Sequence, residues 1–261
     1  MSRLSQKVAV ITGAAKGLGE AEARRFAKEG AQVVLTDVDT ENGQRIASEI
    51  GKQAQFFEHD VRDEERWKTI IKSVLESHGK IDILINNAGV VEAGTIETQT
   101  AEEFSFVMSV NVEGTFFGCK HILPAMRENG GGSIINMASI ASLRGAPNVI
   151  AYSAAKGAIE SMTRSIAAHS ANNKLGIRCN SVHPSAVMTP MIKSMPEKMA
   201  KARLRETTSN QDMSKSGIVG QPNDVVGAVL FLASDESKFI SGTQIVIDNG
   251  LLSLTGNMSA D

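Results

Sequence analysis

Apolar positions along this 261-residue chain fall into two alternating patterns. Short, nearly continuous runs rich in β-branched residues lie at Lys7–Thr12, Gln32–Asp37, Ala54–Glu58, Ile81–Asn86, Ser133–Met137, Ile177–Val182 and Gln244–Asp248. Runs of this kind predict strands buried on both faces. Between them, apolar residues recur every three or four positions, which predicts helices. These cover about 17–29, 41–50, 64–77, 101–127, 152–171 and 222–233, and Gly30 supplies a stop for the first. Strand and helix alternate with no linker and no solenoid repeat, so we read residues 1–261 as one domain. The expected fold is α/β: a doubly wound parallel sheet of about seven strands with helices on both faces. Such sheets bind ligands beyond the carboxyl ends of their strands.

Three polar motifs fall at or near those ends. Thr12-Gly13-Ala-Ala-Lys-Gly17-Leu-Gly19 joins the first strand to the first helix. Glycines there permit a tight turn and let a pyrophosphate approach the backbone and the positive helix end. Asp37 closes the second strand, where a carboxylate accepts hydrogen bonds from ribose hydroxyls and repels a 2′-phosphate. That predicts NAD rather than NADP. Lys16 argues weakly the other way, and Asp39 is the better helix cap. The third motif is Tyr152-Ser-Ala-Ala-Lys156, whose ends share one helix face a turn apart. An ammonium there should draw the Tyr152 pKa below its usual value of about 10 and fit the phenol for proton transfer.

Composition narrows the partners. With 42% hydrophobic and 21% charged residues, a net charge of −2 and no basic patch, neither nucleic acid nor an acidic membrane surface is an expected partner. Cys119 and Cys179 lie in apolar runs and are expected to be reduced, buried and inert. The five histidines form no ligand cluster, so no catalytic metal is expected, and His183 reads as a structural residue at a strand end. A polar N-terminus and the lack of a membrane-length apolar run make a soluble, cytoplasmic protein the expectation.

Taken together, the Thr12–Gly19 turn, Asn86-Asn-Ala-Gly89, Asn111, Ser139, Tyr152 and Lys156 resemble the short-chain dehydrogenase/reductase family over essentially the whole chain. Ser133–Ser139, His183–Met191 and Leu232–Ser237 look like bacterial hydroxysteroid and cyclic-alcohol dehydrogenases. The resemblance implies a Rossmann-like fold and a catalytic set of Asn111, Ser139, Tyr152 and Lys156. Tyr152 would be the acid/base and Lys156 would tune it and hold the nicotinamide ribose. Ser139 would orient the substrate oxygen, and Asn111 would hold a water linking Lys156 to solvent. The implied cofactor is NAD, bound by Gly13, Gly17, Leu18, Gly19, Asp37, Asp60, Val61, Asn87, Ala88, Gly89, Tyr152, Lys156, Pro184, Val187 and Thr189, with Asn86 shaping the wall.

One departure from the family pattern is Pro184-Ser185, where Pro-Gly is usual; a serine forced to positive φ would strain the nicotinamide loop. Another is Asn249, at a position where asparagine tolerates left-handed geometry. Met188, Met191, Met195 and Met199 recur at helical spacing and read equally as core packing or as part of a lid at about 188–217, in which Met188, Met191 and Met195 would join Ser139 and Tyr152 as substrate contacts. Ser194-Met-Pro-Glu197 reads as a capping box inside that lid. The substrate would be a small-molecule secondary alcohol or ketone, bulky and apolar, alicyclic or steroid-like, and the protein a homotetramer touching through 224–233 and the last strand. An NADPH-dependent 3-ketoacyl-carrier reductase and a non-catalytic NAD(H)-sensing protein are the alternatives.

Overall fold

The seven apolar runs all become strands of one parallel sheet: β1 Val8–Thr12, β2 Gln32–Asp37, β3 Ala54–Glu58, β4 Ile83–Asn86, β5 Gly132–Met137, β6 Ile177–Pro184 and β7 Gln244–Ile247. The computed structural model describes residues 2–202 and 219–254. The strand order is β3-β2-β1-β4-β5-β6-β7, so the sheet reverses its direction of growth between β1 and β4. Every pairing is parallel. Central strands β1 and β4 are fully buried along their length, as their unbroken apolar character requires.

Two cores follow from covering both faces. On one side Phe26 of α1 (Gly17–Lys28), Ile46 of α2 (Thr40–Ile50) and Leu230 of α9 (Pro222–Ala233) pack on Ile11, Leu35 and Ile85. On the other, Trp67 and Ile70 of α3 (Glu64–His78) and Ile122 of α5 (Gly114–Glu128) pack on Val10, Leu84 and Ile134. Alternate strand residues feed the two cores, the period-two rule of a pleated sheet. Glu22 is the misfit. It sits on the buried face of α1, fully enclosed, with neither carboxylate oxygen hydrogen-bonded.

The run expected as one helix over 101–127 is interrupted. It comprises α4 (Ala101–Met108), a π-helical segment Ser109–Glu113, and α5. A π segment slips one extra residue into the ladder without breaking it, and such slips gather at functional sites. Here it carries Asn111. The last long helix, α6 (Ile150–Asn172), starts just ahead of Tyr152. Among the described residues no helix is long and apolar enough to cross a membrane.

Candidate active site

At the β1–β4 reversal the glycine turn is clamped to the end of β4. Asn87 donates through Nδ2 to the carbonyls of Thr12 and Gly13, at 2.9 and 3.1 Å. The backbone N–H groups of Asn87 and Ala88 both donate to Thr12 Oγ1 at 3.0 Å. Gly13 has φ +64°, and a Cβ there would lie 2.8 Å from the Ala88 backbone; one on Gly19 would lie 2.3 Å from the Gly13 carbonyl. Neither position admits a side chain. Asn87, Ala88, Gly13 and Gly19 therefore form one backbone-lined floor.

Asp37 stands beside that floor, accepting from the Ala15 N–H and the Asp39 N–H, each at 3.0 Å. Asp39 caps α2 through the Asn42 N–H, the duty expected of it. Lys16 lies 3.9 Å from Asp39, more than half exposed. At the end of β3, Val61 is buried against Gly114 and its carbonyl accepts the Trp67 indole N–H at 3.0 Å. Asp60 pairs with Arg62, whose hydrogen bonds hold the carboxyl below its ordinary range. Asn86 is placed differently from the expectation. Its side chain turns under the sheet to Asn136 Oδ1 and Cys119 Sγ, so it braces the core and does not line the wall. The pleat explains this: Asn86 and Asn87 are consecutive, and neighbouring side chains take opposite faces.

Across the cleft, Ser139 follows two residues after the end of β5, and α6 presents Tyr152 and Lys156. Lys156 is buried, with Nζ 5.4 Å from the Tyr152 ring centre, and it donates to the Met137 carbonyl at 2.6 Å. A Cβ on Gly89 would stand 3.6 Å from that Nζ and 3.1 Å from Asn111 Oδ1, so all three meet at one wall. Burial lowers the Lys156 pKa to about 8. It raises that of Tyr152, while the Ser139 hydroxyl pulls the phenol the other way. The expectation that Lys156 depresses the tyrosine is not met in the protein alone. Dehydration of the phenolate outweighs an ammonium committed to the Met137 carbonyl. Asn111 is fully buried and uses both side-chain ends on Val90, accepting from its N–H at 2.8 Å and donating to its carbonyl at 2.9 Å. Its backbone carbonyl accepts from Thr115 Oγ1 at 2.7 Å.

The segment after β6 forms the remaining wall. A Cβ on Gly17 would lie 3.4 Å from Thr189, which brings the glycine turn and this segment face to face. Thr189 Oγ1 bonds back to the Val187 carbonyl at 3.1 Å. Ser185 does not adopt positive φ, so the feared strain is absent, while Asn249 does, at +50°. Val187 pairs with Gly220 in an isolated parallel bridge, and Met188 N–H donates to the Gly220 carbonyl at 2.9 Å. The intervening chain thus leaves and returns at one neck. Its described part holds two short helices, α7 (Pro190–Lys193) and α8 (Met195–Lys201); 203–217 of the expected lid lie outside the described residues. Met188, Met191 and Met195 are each half-buried. The capping box at Ser194 does not form. Ser194 is already helical and its hydroxyl donates back to the Met191 carbonyl at 2.9 Å, closing α7 instead.

Residues 13–252 match a family model described as enoyl-(acyl carrier protein) reductase. The chain is 37% identical to the 3-beta-hydroxysteroid dehydrogenase of Comamonas testosteroni, covering 97% of this chain and 98% of the relative. The chain belongs to the short-chain dehydrogenase/reductase family. Other relatives include the NADP-dependent (R)-specific alcohol dehydrogenase of Lentilactobacillus kefiri, 37% identical over 95% of this chain and 97% of the relative. The cyclopentanol dehydrogenase of Comamonas testosteroni is 36% identical over 96% and 98%. Levodione reductase superposes with a TM-score of 0.87 at 31% identity, covering 97% of this chain and all of the other.

As a short-chain dehydrogenase/reductase the protein is an oxidoreductase that takes a nicotinamide dinucleotide, and its residues fit one. The side-chain-free floor at Gly13 and Gly19 leaves a cradle that any Cβ would fill, at the positive end of α1. Two features of the cleft were not drawn from the sequence. Lys198 of α8 reaches the Val91 carbonyl at 2.8 Å and Glu92 Oε1 at 2.6 Å, tying α8 to the chain after β4. A lysine in a polar stretch gives no sign of such a partner 106 residues away. The other is the set of contacts made by His183.

Proposed function

We propose that the protein interconverts a secondary alcohol and a ketone with NAD, on a bulky apolar, alicyclic or steroid-like substrate. The observation that carries this reading is the convergence of Ser139, Tyr152 and buried Lys156 on the wall opposite the glycine floor. The bound dinucleotide would supply the two-electron donor or acceptor for the carbinol carbon. Gly13, Gly17, Leu18 and Gly19 hold its phosphates; Asp37, Asp60 and Val61 its adenosine end; Asn87, Ala88, Gly89, Pro184, Val187 and Thr189 the remainder.

Tyr152 passes the proton at the substrate oxygen. Ser139 donates to that oxygen where charge develops, a dipole fixed in place before reaction. Below about pH 8 Lys156 is an ammonium, able to stabilise the phenolate once its hold on Met137 is exchanged for other partners. The pair then titrates as a unit, and neither group owns a single pKa. Asn111 anchors Val90 beside Tyr152, and the second lone pair of its backbone carbonyl, the first being taken by Thr115 Oγ1, would receive the water that links Lys156 to solvent.

Support for NAD comes from the Asp37 carboxylate, fixed beside the glycine turn by two backbone N–H groups. A second reading, NADP(H) with an alcohol or an acyl-carrier ketone, draws on exposed Lys16 and on the NADP-dependent relative. A non-catalytic sensor would have no use for the assembled Ser139–Tyr152–Lys156 centre. Phe239, Val246 and Leu254 are exposed apolar side chains that assembly into a homotetramer would cover; the expected location is the cytoplasm.

The deciding experiment follows reduced cofactor formed from NAD and from NADP across small linear, cyclic and steroidal secondary alcohols. Preferential turnover of cyclic or steroidal members with NAD is the expected result. No turnover alongside tight NADH binding would defeat the catalytic reading.

A further inference from the structure

His183 lies near the carboxyl end of β6, fully buried, and has no part in the proton transfer described above. Its Nε2 meets Ser181 Oγ at 2.8 Å. Its Nδ1 meets Ser142 Oγ at 3.0 Å and the Ser139 carbonyl oxygen at 3.2 Å. The partners dictate where the proton sits. A carbonyl only accepts, so Nδ1 must carry hydrogen to bond it. Ser142 Oγ already donates to the same carbonyl at 2.8 Å, which leaves its lone pairs for the Nδ1–H. Nε2 is then an acceptor, filled by the Ser181 hydroxyl. One neutral tautomer satisfies every contact.

The consequence falls on Ser139. Its carbonyl receives the Ser142 N–H at 3.1 Å, the Ser142 hydroxyl and the His183 Nδ1–H. Its own hydroxyl is held far more loosely. Ser139 Oγ accepts from the Ala141 N–H at 3.2 Å, and its contact with the Pro184 carbonyl is 3.5 Å, the limit of a hydrogen bond. The backbone is pinned, while the hydroxyl is shared between these weak contacts and the Tyr152 phenol, the group that would meet the substrate oxygen with it. The chain that leaves β6 after His183 and Pro184 leads directly to Val187 and Thr189, so one strand end registers two walls of the cleft.

We propose that neutral His183 is a positioning residue that fixes the Ser139 turn, so that the Ser139 hydroxyl faces the substrate oxygen and stays in register with the loop after β6. This rests on the reading of Ser139 as donor to that oxygen. Side chains whose only task is filling the core do not depend on a single N–H group. His183 does, and the substitutions separate the two cases. Asparagine keeps a nitrogen donor near the Nδ1 position; leucine removes it, and glutamine offers one nearer the Nε2 end.

The test is steady-state kinetics of the full chain with NAD and cyclopentanol, or the best-used alcohol of the panel, with NADH affinity and melting temperature measured on each variant. H183L should lower kcat about 10- to 100-fold, the cost of a misplacement near 1 Å, with KM for NAD and NADH affinity within about twofold. H183N should stay within about fivefold of the parent. In the S139A background H183L should cost less than about twofold more, because both changes remove one function. Equal losses in H183N and H183L, or a fully additive loss on S139A, would overturn the proposal. Should H183L fail to fold, H183Q against H183N makes the same comparison, and equal turnover overturns it. Parental turnover by S139A would be a separate failure, that of the Ser139 reading itself.

Discussion

Lys156 donates to the Met137 carbonyl at 2.6 Å, while its Nζ stands 5.4 Å from the Tyr152 ring centre. Lys156 is therefore anchored to the end of β5 as well as to its own helix. Burial lowers its pKa from 10.5 to about 8. Between those values the unfolded chain binds more protons than the folded one, so stability rises with pH. The penalty is full below pH 8 and relieved as pH climbs toward 10.5. Two and a half pKa units correspond to about 3 kcal/mol, partly offset by the Met137 hydrogen bond. K156M should abolish turnover, melt no lower than the parent at pH 7, and lose that advantage by pH 10. Melting temperature against pH reads it.

Glu22 runs in the opposite sense. Burial raises its pKa from 4.5 to about 8, with no hydrogen bond to soften the cost. A raised acid pKa means the folded state holds the proton longer. Stability therefore falls as pH rises from 4.5 and levels off once it passes 8, by at most about 5 kcal/mol. E22L and E22Q should both flatten this slope, and E22L should raise the melting temperature at pH 9 by several degrees. A parent whose melting temperature does not change between pH 6 and pH 9 would show that the carboxyl finds a partner or water.

Asp37 serves two masters, fixing Ala15 and Asp39 while facing the expected adenosine ribose. D37A should cut the preference for NAD over NADP by about tenfold or more, since it removes a charge that a 2′-phosphate must meet. The ratio of kcat/KM with the two cofactors measures this. An unchanged ratio would locate the discrimination elsewhere.

The strands were legible because parallel strands buried on both faces are written as unbroken apolar runs, and β1 to β7 match those runs closely. Tyr152 and Lys156 were legible because helical spacing alone sets their shared face. Side-chain direction at loop onsets was harder. Asn86 and Asn87 are chemically identical neighbours, and only the pleat decides that one braces Asn136 and the other clamps the glycine turn. The π segment around Asn111 escaped because one inserted residue barely disturbs helical periodicity. Glu22 shares a helix face with Gly19, Ala23 and Phe26, but a glutamate on a helix is ordinarily read as solvent-facing.

Lys198 holds α8 to Val91 and Glu92, so α8 rests on the chain after β4. Its ion pair is about a quarter exposed, in the range where such contacts contribute about 1 kcal/mol or less. K198A should therefore loosen closure without unfolding anything, raising KM for the alcohol about two- to fivefold with KM for NAD unchanged. M191A/M195A should change relative rates across alcohols of different size. A size profile identical to the parent's would remove these methionines from the pocket wall.

Tyr152 is the chain's only tyrosine, so the near-ultraviolet phenolate absorbance reports this one hydroxyl. Burial should place its transition above the ordinary tyrosine range of about 10, with Ser139 opposing the rise. S139A removes that opposing hydrogen bond and should move the transition further up. Y152F should erase both the transition and nearly all turnover while leaving NADH affinity close to parental. NADH itself should move the transition down, if occupying the cleft exchanges Lys156's hold on Met137 for one nearer the phenol. A transition near 10 in every state would mean that the hydroxyl sits in water, and it would remove burial and Ser139 as the groups that tune it. The same titration on K156M then tests the lysine: a transition that NADH still lowers without the ammonium would assign the tuning to the cofactor's surroundings.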